Sequence, residues 1–495
     1  MEIENLTDVL QRHLGIQQAQ SVALENVTAD SIARLTATRG DVRRLVQLWE
    51  DPESVVVGLS DTPALREPIL RFRAAIEDGF VTRRKGNSSV PVAFVPFAPR
   101  MVTRTDERTV FRGAGASVLE GLWRDESVRE GVRNVVVAWE AGHPVASLLA
   151  PLCEPHSIAN SRPQSNLRDV IDNDPELAEW VDGTVREDWL AWIAAAKPLS
   201  IDEQFESMTA LIGLHLHIAL LRRLCPRDAT SRPLVFMSAH RGQHLHNCDR
   251  SARDVFDWWS DRARAALLDR AANVIDQVIA SDDKERESLH GDWSALGRWS
   301  THSIAGSKPT TARWRTAVLA EIEQRKLASI EHSPAAARAL LVDVLVKTFL
   351  HGTSHVVSKI RDFLRYTGVA AGIIGPTGRF ARKRYLLDDR ALDLLVRLHV
   401  QRPEESVRSS VEEKGSVAAM LDDVFDRYGL AVDGQSDAVR AAISKAESHD
   451  QLRVLRKQLP SDRAMEENRV ALESRLDELR LVRRYSDASA TLNVR

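Results

Sequence analysis

The chain has 495 residues, 43% of them apolar and 28% charged, and 67 Lys+Arg against 70 Asp+Glu leave a net charge of −3. This is ordinary globular composition, which excludes wholesale disorder and fibrous architecture, and the near-neutral balance confines any basic function to a local surface. Three cysteines, Cys153, Cys225 and Cys248, are too few for a disulfide framework and point to a reducing cytoplasm. Met1 to Leu14 carries Glu2, Glu4 and Asp8 and no apolar core, so it does not read as a signal peptide. The longest near-apolar run, Leu211 to Leu221, falls short of the roughly 20 residues a spanning helix needs, so no membrane partner is expected.

Residues 1–54 read as an N-terminal helical segment. Ile3, Leu6, Val9, Leu10 and Leu14 recur at helical spacing, and Thr28 to Asp30 offer capping side chains for Ile32, Leu35, Val42, Leu45, Val46 and Trp49. Residues 55–150 read as a small mixed α/β unit. Val55 to Val57 is a short β-branched run, Val90 to Phe97 alternates around two prolines as an edge strand does, and Val135 to Trp139 has the composition of a buried strand. Residues 151–332 read as a helical middle domain, with long apolar helices at Phe205 to Leu224 and Val255 to Ile279 and a helix ending near Pro198. Trp293 to Arg315, polar and carrying Gly and Pro, reads as a connector.

Residues 333–495 begin at Ser333–Pro334, a helix-start signal, and hold the strongest charge feature of the chain. Between Lys347 and Arg384 stand eight Lys/Arg and one acid, Asp362. A helix ending near Arg365, then Val369 to Ile374 and Arg379 to Leu387 about a Gly-Pro-Thr-Gly turn, predict a helix and a β-hairpin. A second helix follows, opened by Asp388–Asp389 with Leu392, Leu395, Val396 and His399 on one face. Helices joined to a basic hairpin have the layout of a winged helix, whose Arg and Lys reach phosphates beside the groove. The fold class expected is therefore mainly α, with the small mixed α/β unit near the N-terminus and a winged-helix-like C-terminal region. Lys359, Arg361, Arg365, Arg379, Arg382, Lys383 and Arg384 are the candidate DNA-backbone contacts. The competing reading of the same residues is a sheet edge charged to prevent edge pairing, or a protein-docking face.

Further on, Ala418 to Tyr428 is amphipathic and ends at Gly429, a C-cap residue. Leu472, Leu476, Leu479 and Val482 form a helical stripe, and Tyr485 to Val494 reads as a terminal strand. The phrases KRYLLDDRALDLLVRLHV, LDDVFDRYGLAVDG and RLDELRLVRRYSDASATLNV resemble the C-terminal region of accessory subunits of prokaryotic multi-gene anti-phage defence systems. The resemblance carries no catalytic signature. It implies a helper subunit acting on or near DNA beside other protein subunits, and it transfers no site residue.

Five of the 15 histidines lie between His215 and His246, with Cys248 following. His240, His244, His246 and Cys248 offer four zinc-type ligands in a short stretch, though the second Cys-bearing arm of a structural zinc site is missing. His215 and His217 are two apart on a helix and face different sides. A Cys248 thiolate with His244 or His246 as base lacks an orienting third group. Gly113 to Ser117 reads as a helix-entry turn. Glu412 to Lys414 and His449–Asp450 lack companion ligands, and no hydrolase, metalloprotease or kinase motif is present. The expectation is a non-enzymatic, cytoplasmic DNA-binding accessory subunit without cofactor. The alternatives are a metal-dependent hydrolase or nuclease around the His/Cys cluster, with zinc, and a protein-only assembly scaffold.

Overall fold

A computed structural model describes residues 124–142, 175–224, 233–240, 248–262, 364–376, 382–402, 415–434, 439–441, 460–484 and 490–492. It also describes short strands at 38–41, 81–83, 91–94 and 154–157, and helical positions at 28, 31–32, 35–36, 122 and 320. These residues are mostly helical with few, short strands, so the chain is mainly α. No helix among them is long and apolar enough to cross a membrane. The chain divides into two compact units, one of residues 1–19 and 259–363 and the other of 20–258 and 364–495. Nearly all described residues belong to the second.

Near the N-terminus, β1 (Thr38–Asp41) pairs antiparallel with β4 (Glu154–Ser157), and β2 (Val81–Arg83) with β3 (Pro91–Phe94). β3 falls within the Val90 to Phe97 segment expected to be extended. The expected buried strand at Val135 to Trp139 is instead part of helix α1 (Glu126–Gly142). Its three successive valines favour a strand locally, but Val128, Val132, Val136 and Trp139 form one buried helical face. Asp125 caps the helix, accepting from the Ser127 and Val128 amides at 2.8 and 3.3 Å. The longer period overrides the local composition.

Helix α2 (Pro175–Trp180) runs through a π-turn (Val181–Val185) into α3 (Arg186–Ala196). Two ion pairs, Arg124–Asp182 at 2.9 Å and Arg186–Asp125, tie the π-turn and α3 to the start of α1. α3 stops just before the Lys197–Pro198 turn, and α4 (Ile201–Leu224) starts on a capping box. The Ser200 amide donates to the Glu203 carboxylate at 2.8 Å, and the Glu203 amide to the Ser200 hydroxyl at 3.4 Å. From Met208 to Leu221 every residue of α4 is buried, whichever way it points, so α4 is enclosed on all sides.

The strands of the second half assemble around β5 (Val235–Phe236), which comes directly after α4 and is followed by the helical stretch 248–262, α5. The helical stretch 364–370, α6, turns at Gly372 into β6 (Ile374–Gly375), which pairs antiparallel with β7 (Arg384–Tyr385). The hairpin partners thus meet, although Val369 and Ala370, expected to be extended, close the helix instead. β7 leads to α7 (Asp389–Gln401), then α8 (Val417–Tyr428) and β8 (Leu430–Ala431). β8 runs parallel to β5, and Ser238 bridges in parallel to Leu386 beyond β7. β8–β5 and β6–β7 are separate two-stranded pairs, and the isolated Ser238–Leu386 bridge links them, so segments at 235–238, 384–386 and 430–431 come together.

α7 starts, and α8 stops, where the sequence predicts. Asp388 caps α7 through the Ala391 amide at 2.9 Å, and Ser416 caps α8 through that of Ala419 at 3.1 Å. Gly429 ends α8 at φ +70°, the left-handed C-cap conformation. Helix α9 (Asp462–Glu478) follows, with buried Leu472 and Leu476 on its inner side. Val482, expected on the same helical stripe, lies instead in β9 (Val482–Arg484), paired with β10 (Ala490–Leu492).

α9 closes the sheet with side chains. The Asn468 amide donates to the Met237 and Val432 carbonyls at 2.8 and 2.6 Å and accepts from the Ala239 amide at 2.7 Å, bridging the ends of β5 and β8. Arg475 donates to the Ala239 carbonyl at 3.1 Å and to the Leu387 carbonyl, and pairs with Asp389 at 2.5 Å.

Two glycines fix close approaches. A Cβ on Gly429 would strike the Pro233 carbonyl just where β8 joins β5, and one on Gly213 would press against the backbone at Thr367 and Ala371. Gly429→Ala and Gly213→Ala are each expected to lower stability by more than about 1 kcal/mol, because native geometry leaves the methyl no room. Urea unfolding of the full chain measures this, and unchanged midpoints would count against both contacts.

Candidate functional site: the basic hairpin and the ionic core

The β6–β7 hairpin carries the described part of the basic stretch. Arg382 is exposed, Lys383 is half-buried, and Arg384 is buried in β7. Lys383 Nζ donates to the Pro376 carbonyl, closing the mouth of the hairpin loop. Arg365 on α6 stacks over the neighbouring Tyr366 ring at 4.7 Å. Burial lowers the Lys383 ammonium pKa, and the nearby Arg365 charge lowers it further.

Arg384 points the other way. Its Nε lies 3.1 Å from Asp249 Oδ1, which also accepts from the Ser238 hydroxyl at 2.6 Å. Tyr385 is buried as well. Thr367 Oγ1 donates to the Leu364 carbonyl at 3.2 Å, so it accepts from His217 Nδ1 at 3.1 Å, and His217 Nε2 then accepts from the Tyr385 hydroxyl at 3.1 Å. Burial pushes His217 down to about 3, in keeping with a neutral ring, and pushes the Tyr385 phenol far up. Of the seven candidate phosphate contacts, Arg382 and Lys383 lie at the hairpin, Arg365 lies on α6, and Arg384 is turned inward. Lys359, Arg361 and Arg379 lie outside the described residues.

His240 is half-buried, and the Cys248 thiol donates to the Ala464 carbonyl at 2.7 Å. Burial and the nearby Glu467 and Asp249 charges push the Cys248 thiol up to about 11, so it stays protonated at neutral pH. A zinc ligand must be a thiolate, so Cys248 as it stands is a poor donor. No group of three metal-binding side chains occurs among the described residues. His244, His246, Gly113 to Ser117, Glu412 to Lys414 and His449–Asp450 lie outside them.

Among the described residues, the largest concentration of ionisable groups joins α3, α4, α7 and α8, and no sequence motif marks it. Asp188 of α3, fully buried, accepts from His215 Nε2 of α4 at 2.9 Å and from the Tyr428 hydroxyl of α8 at 2.7 Å. It also accepts from Arg402, which follows α7, at 2.5 and 3.1 Å. Arg402 reaches Asp423 of α8 too, and Asp423 accepts from His399 Nδ1 at 2.9 Å and Arg427 Nε at 2.6 Å. Arg427 ends on Glu187 at 2.7 Å. Trp180 and Trp189 pack edge-on to His215 at 6.0 and 6.1 Å.

Asp, His, Tyr and Arg side chains together suggest acid–base chemistry, but here each one is engaged by its neighbours, and only the buried His215 Nδ1 within the cluster has no hydrogen-bond partner. Both Asp188 oxygens are engaged, and Asp188, His215, His399, Arg402 and Tyr428 are shut away from solvent. A general base must reach the proton it abstracts. The cluster therefore serves to hold α3, α4, α7 and α8 together. Its sequence signals are thin: Asp188 follows Arg186 and Glu187 in the charged first turn of α3, and Arg402 sits beside Pro403 where a helix ends.

Burial alone raises the Asp188 carboxyl, but the Arg402 charge and the His215 hydrogen bond outweigh it and hold it below the usual carboxylate range. At Asp423 burial likewise raises, while Arg402 and the His399 hydrogen bond lower it further. No protein-family model matches the chain, and no curated protein or solved structure matches it.

Two predictions follow from this geometry. Asp188→Asn leaves the buried Arg402 without its carboxylate partner and is expected to cost about 3–5 kcal/mol in urea unfolding. Because the folded pKa of Asp188 and Asp423 lies below the unfolded value of about 4, their stabilisation is complete above pH ~4 and is lost as pH falls through the folded values. Unfolding free energy measured from pH 6 down to pH 2 should fall steeply, and less steeply in Asp423→Asn. Equal slopes would sink the assignment.

Proposed function

We propose that the chain is a non-enzymatic, cytoplasmic accessory subunit that binds duplex DNA through its backbone at a winged-helix-like basic hairpin. In this reading it acts within a prokaryotic DNA-processing or anti-phage defence complex. The single observation that carries the reading is the placement of consecutive basic residues at the mouth of the β6–β7 hairpin, where Arg382 is exposed and Lys383 half-buried. An exposed guanidinium beside a lysine at a hairpin mouth is the kind of cation that a polyanion's phosphates can engage. Phosphate contacts of this kind fix register and orientation and read no bases, which suits a helper subunit more than a sequence-specific regulator. The resemblance of the C-terminal phrases to defence-system accessory subunits supports the same reading. Arg365, Arg382 and Lys383 are the contacts it assigns, with Lys359, Arg361 and Arg379 as candidates to extend them. Arg384, paired with Asp249, supports the hairpin from within.

The test is duplex-DNA affinity of the full-length chain across a salt series. A strand order that draws on residues 235–238 and 430–431 rules out a C-terminal fragment for this purpose. Log affinity should fall linearly with log salt. Arg382→Ala should flatten the slope by about 0.9, and Arg382→Ala with Lys383→Ala by about 1.8, one phosphate contact each. Absence of salt-dependent binding by the folded chain, or identical slopes in all three proteins, overturns the proposal.

A further inference from the structure

We propose that one buried water molecule is a fixed component of this fold, bound between the Trp189 indole N–H of α3 and His215 Nδ1 of α4. Both side chains are fully enclosed, and these two ring nitrogens have no hydrogen-bond partner within the protein. The other buried indoles of α1, α2 and α3 are satisfied. Trp139 donates to the Gln204 side chain, Trp180 to the Arg427 carbonyl at 3.2 Å and Trp192 to the Ser207 hydroxyl at 2.9 Å. Trp189 departs from the rule its neighbours follow. A buried donor without an acceptor is costly, and native interiors commonly meet that cost with an ordered water.

The two atoms are chemically complementary. His215 Nε2 lies 2.9 Å from Asp188 Oδ2, and Asp188 also accepts from Arg402 and Tyr428. The ring therefore donates through Nε2, and Nδ1 of the neutral imidazole presents a lone pair, whereas an indole nitrogen can only donate. The two rings lie edge to face with centroids 6.1 Å apart at 67°. A molecule bonded to both nitrogens at about 2.9 Å each bridges a gap of up to about 5.8 Å, the scale of that separation. It must accept from Trp189 and donate to His215. A metal cation cannot accept and a halide cannot donate, so water is the ligand class that fits. Trp180, edge-on to His215 at 6.0 Å, and Trp192, edge-on to Trp189 at 5.7 Å, wall the place with apolar rings. Water bound there also selects the His215 tautomer. A proton moved to Nδ1 turns the Nε2 lone pair onto the Asp188 carboxylate, so a hydrogen bond into Nδ1 keeps the donor where Asp188 needs it.

NMR of the full-length chain carrying 15N in its indoles tests the proposal, with Trp189→Phe and Trp180→Phe identifying two of the signals by their loss. The expected result is a dipolar cross-peak between water and the Trp189 indole proton. The Trp180 indole, bonded to a carbonyl, should show none. Dipolar and exchange peaks have opposite signs in the rotating frame, so a solvent-exchange peak is told apart. No cross-peak at Trp189, or one of exchange sign, overturns the proposal. If Trp189→Phe does not fold, electron density from crystals of the wild-type chain decides. A peak within hydrogen-bonding reach of both nitrogens supports the water, and the two rings in place without one overturn it. No DNA enters the measurement, so this site and the DNA-binding reading stand or fall separately.

Discussion

A carboxylate placed where no water reaches it organises this molecule. Asp188 is costly to bury, and the cost is met only because guanidinium, imidazole and phenol donors from helices distant in sequence converge on its two oxygens. Each donor fixes one helix. His215 sets the rotation of α4, Tyr428 that of α8, and Arg402 the point where α7 ends. Apolar packing among Trp, Leu and Val side chains tolerates small slides of one helix past another, whereas a buried ion network does not. The network therefore selects one arrangement among several that would bury similar apolar area, which is the best-attested use of buried charge. The π-turn ahead of α3 falls just upstream of Asp188, and its extra residue per turn resets which side chains face inward.

The sheet is built on the same logic. Its strands pair over two or three residues, too few for backbone bonds alone to hold. Asn468 and Arg475 supply the missing partners at the strand ends, so α9 ties β8, β5 and the residues after β7 into one surface. His217 and Tyr385 fasten that surface to α4. Polar side chains buried in mutual contact thus do at the sheet what Asp188 does among the helices.

Features with a local cause were legible in the sequence. Asp388 before a 3.6-residue apolar pattern, and Gly429 after one, mark the ends of α7 and α8 because capping is settled within one turn. The long apolar helix through Leu211 to Leu221 and the meeting of β6 with β7 follow from composition and turn chemistry. Val135 to Trp139 misled because β-branched residues favour strands over a few positions, while the helical face that captured them needs Val128 and Val132 to be seen. The Asp188 network was not legible at all. Its members lie up to 240 residues apart, each ordinary in its own surroundings, and only the fold gives them one another.

The basic stretch shows where counting charges stops being informative. Arg382, Lys383 and Arg384 are consecutive and equivalent in any tally, yet one is exposed, one half-buried at the loop mouth and one turned inward to Asp249. Pairing of β7 with β6 on one side and with Ser238 on the other makes Arg384 part of the interior, and an interior guanidinium needs a carboxylate. Arg384 therefore gives the hairpin a fixed base, and the residues just before it are held over that base rather than on a free loop. Rigid presentation lowers the ordering cost of any later contact, so a hairpin anchored from within can bind with few outward charges.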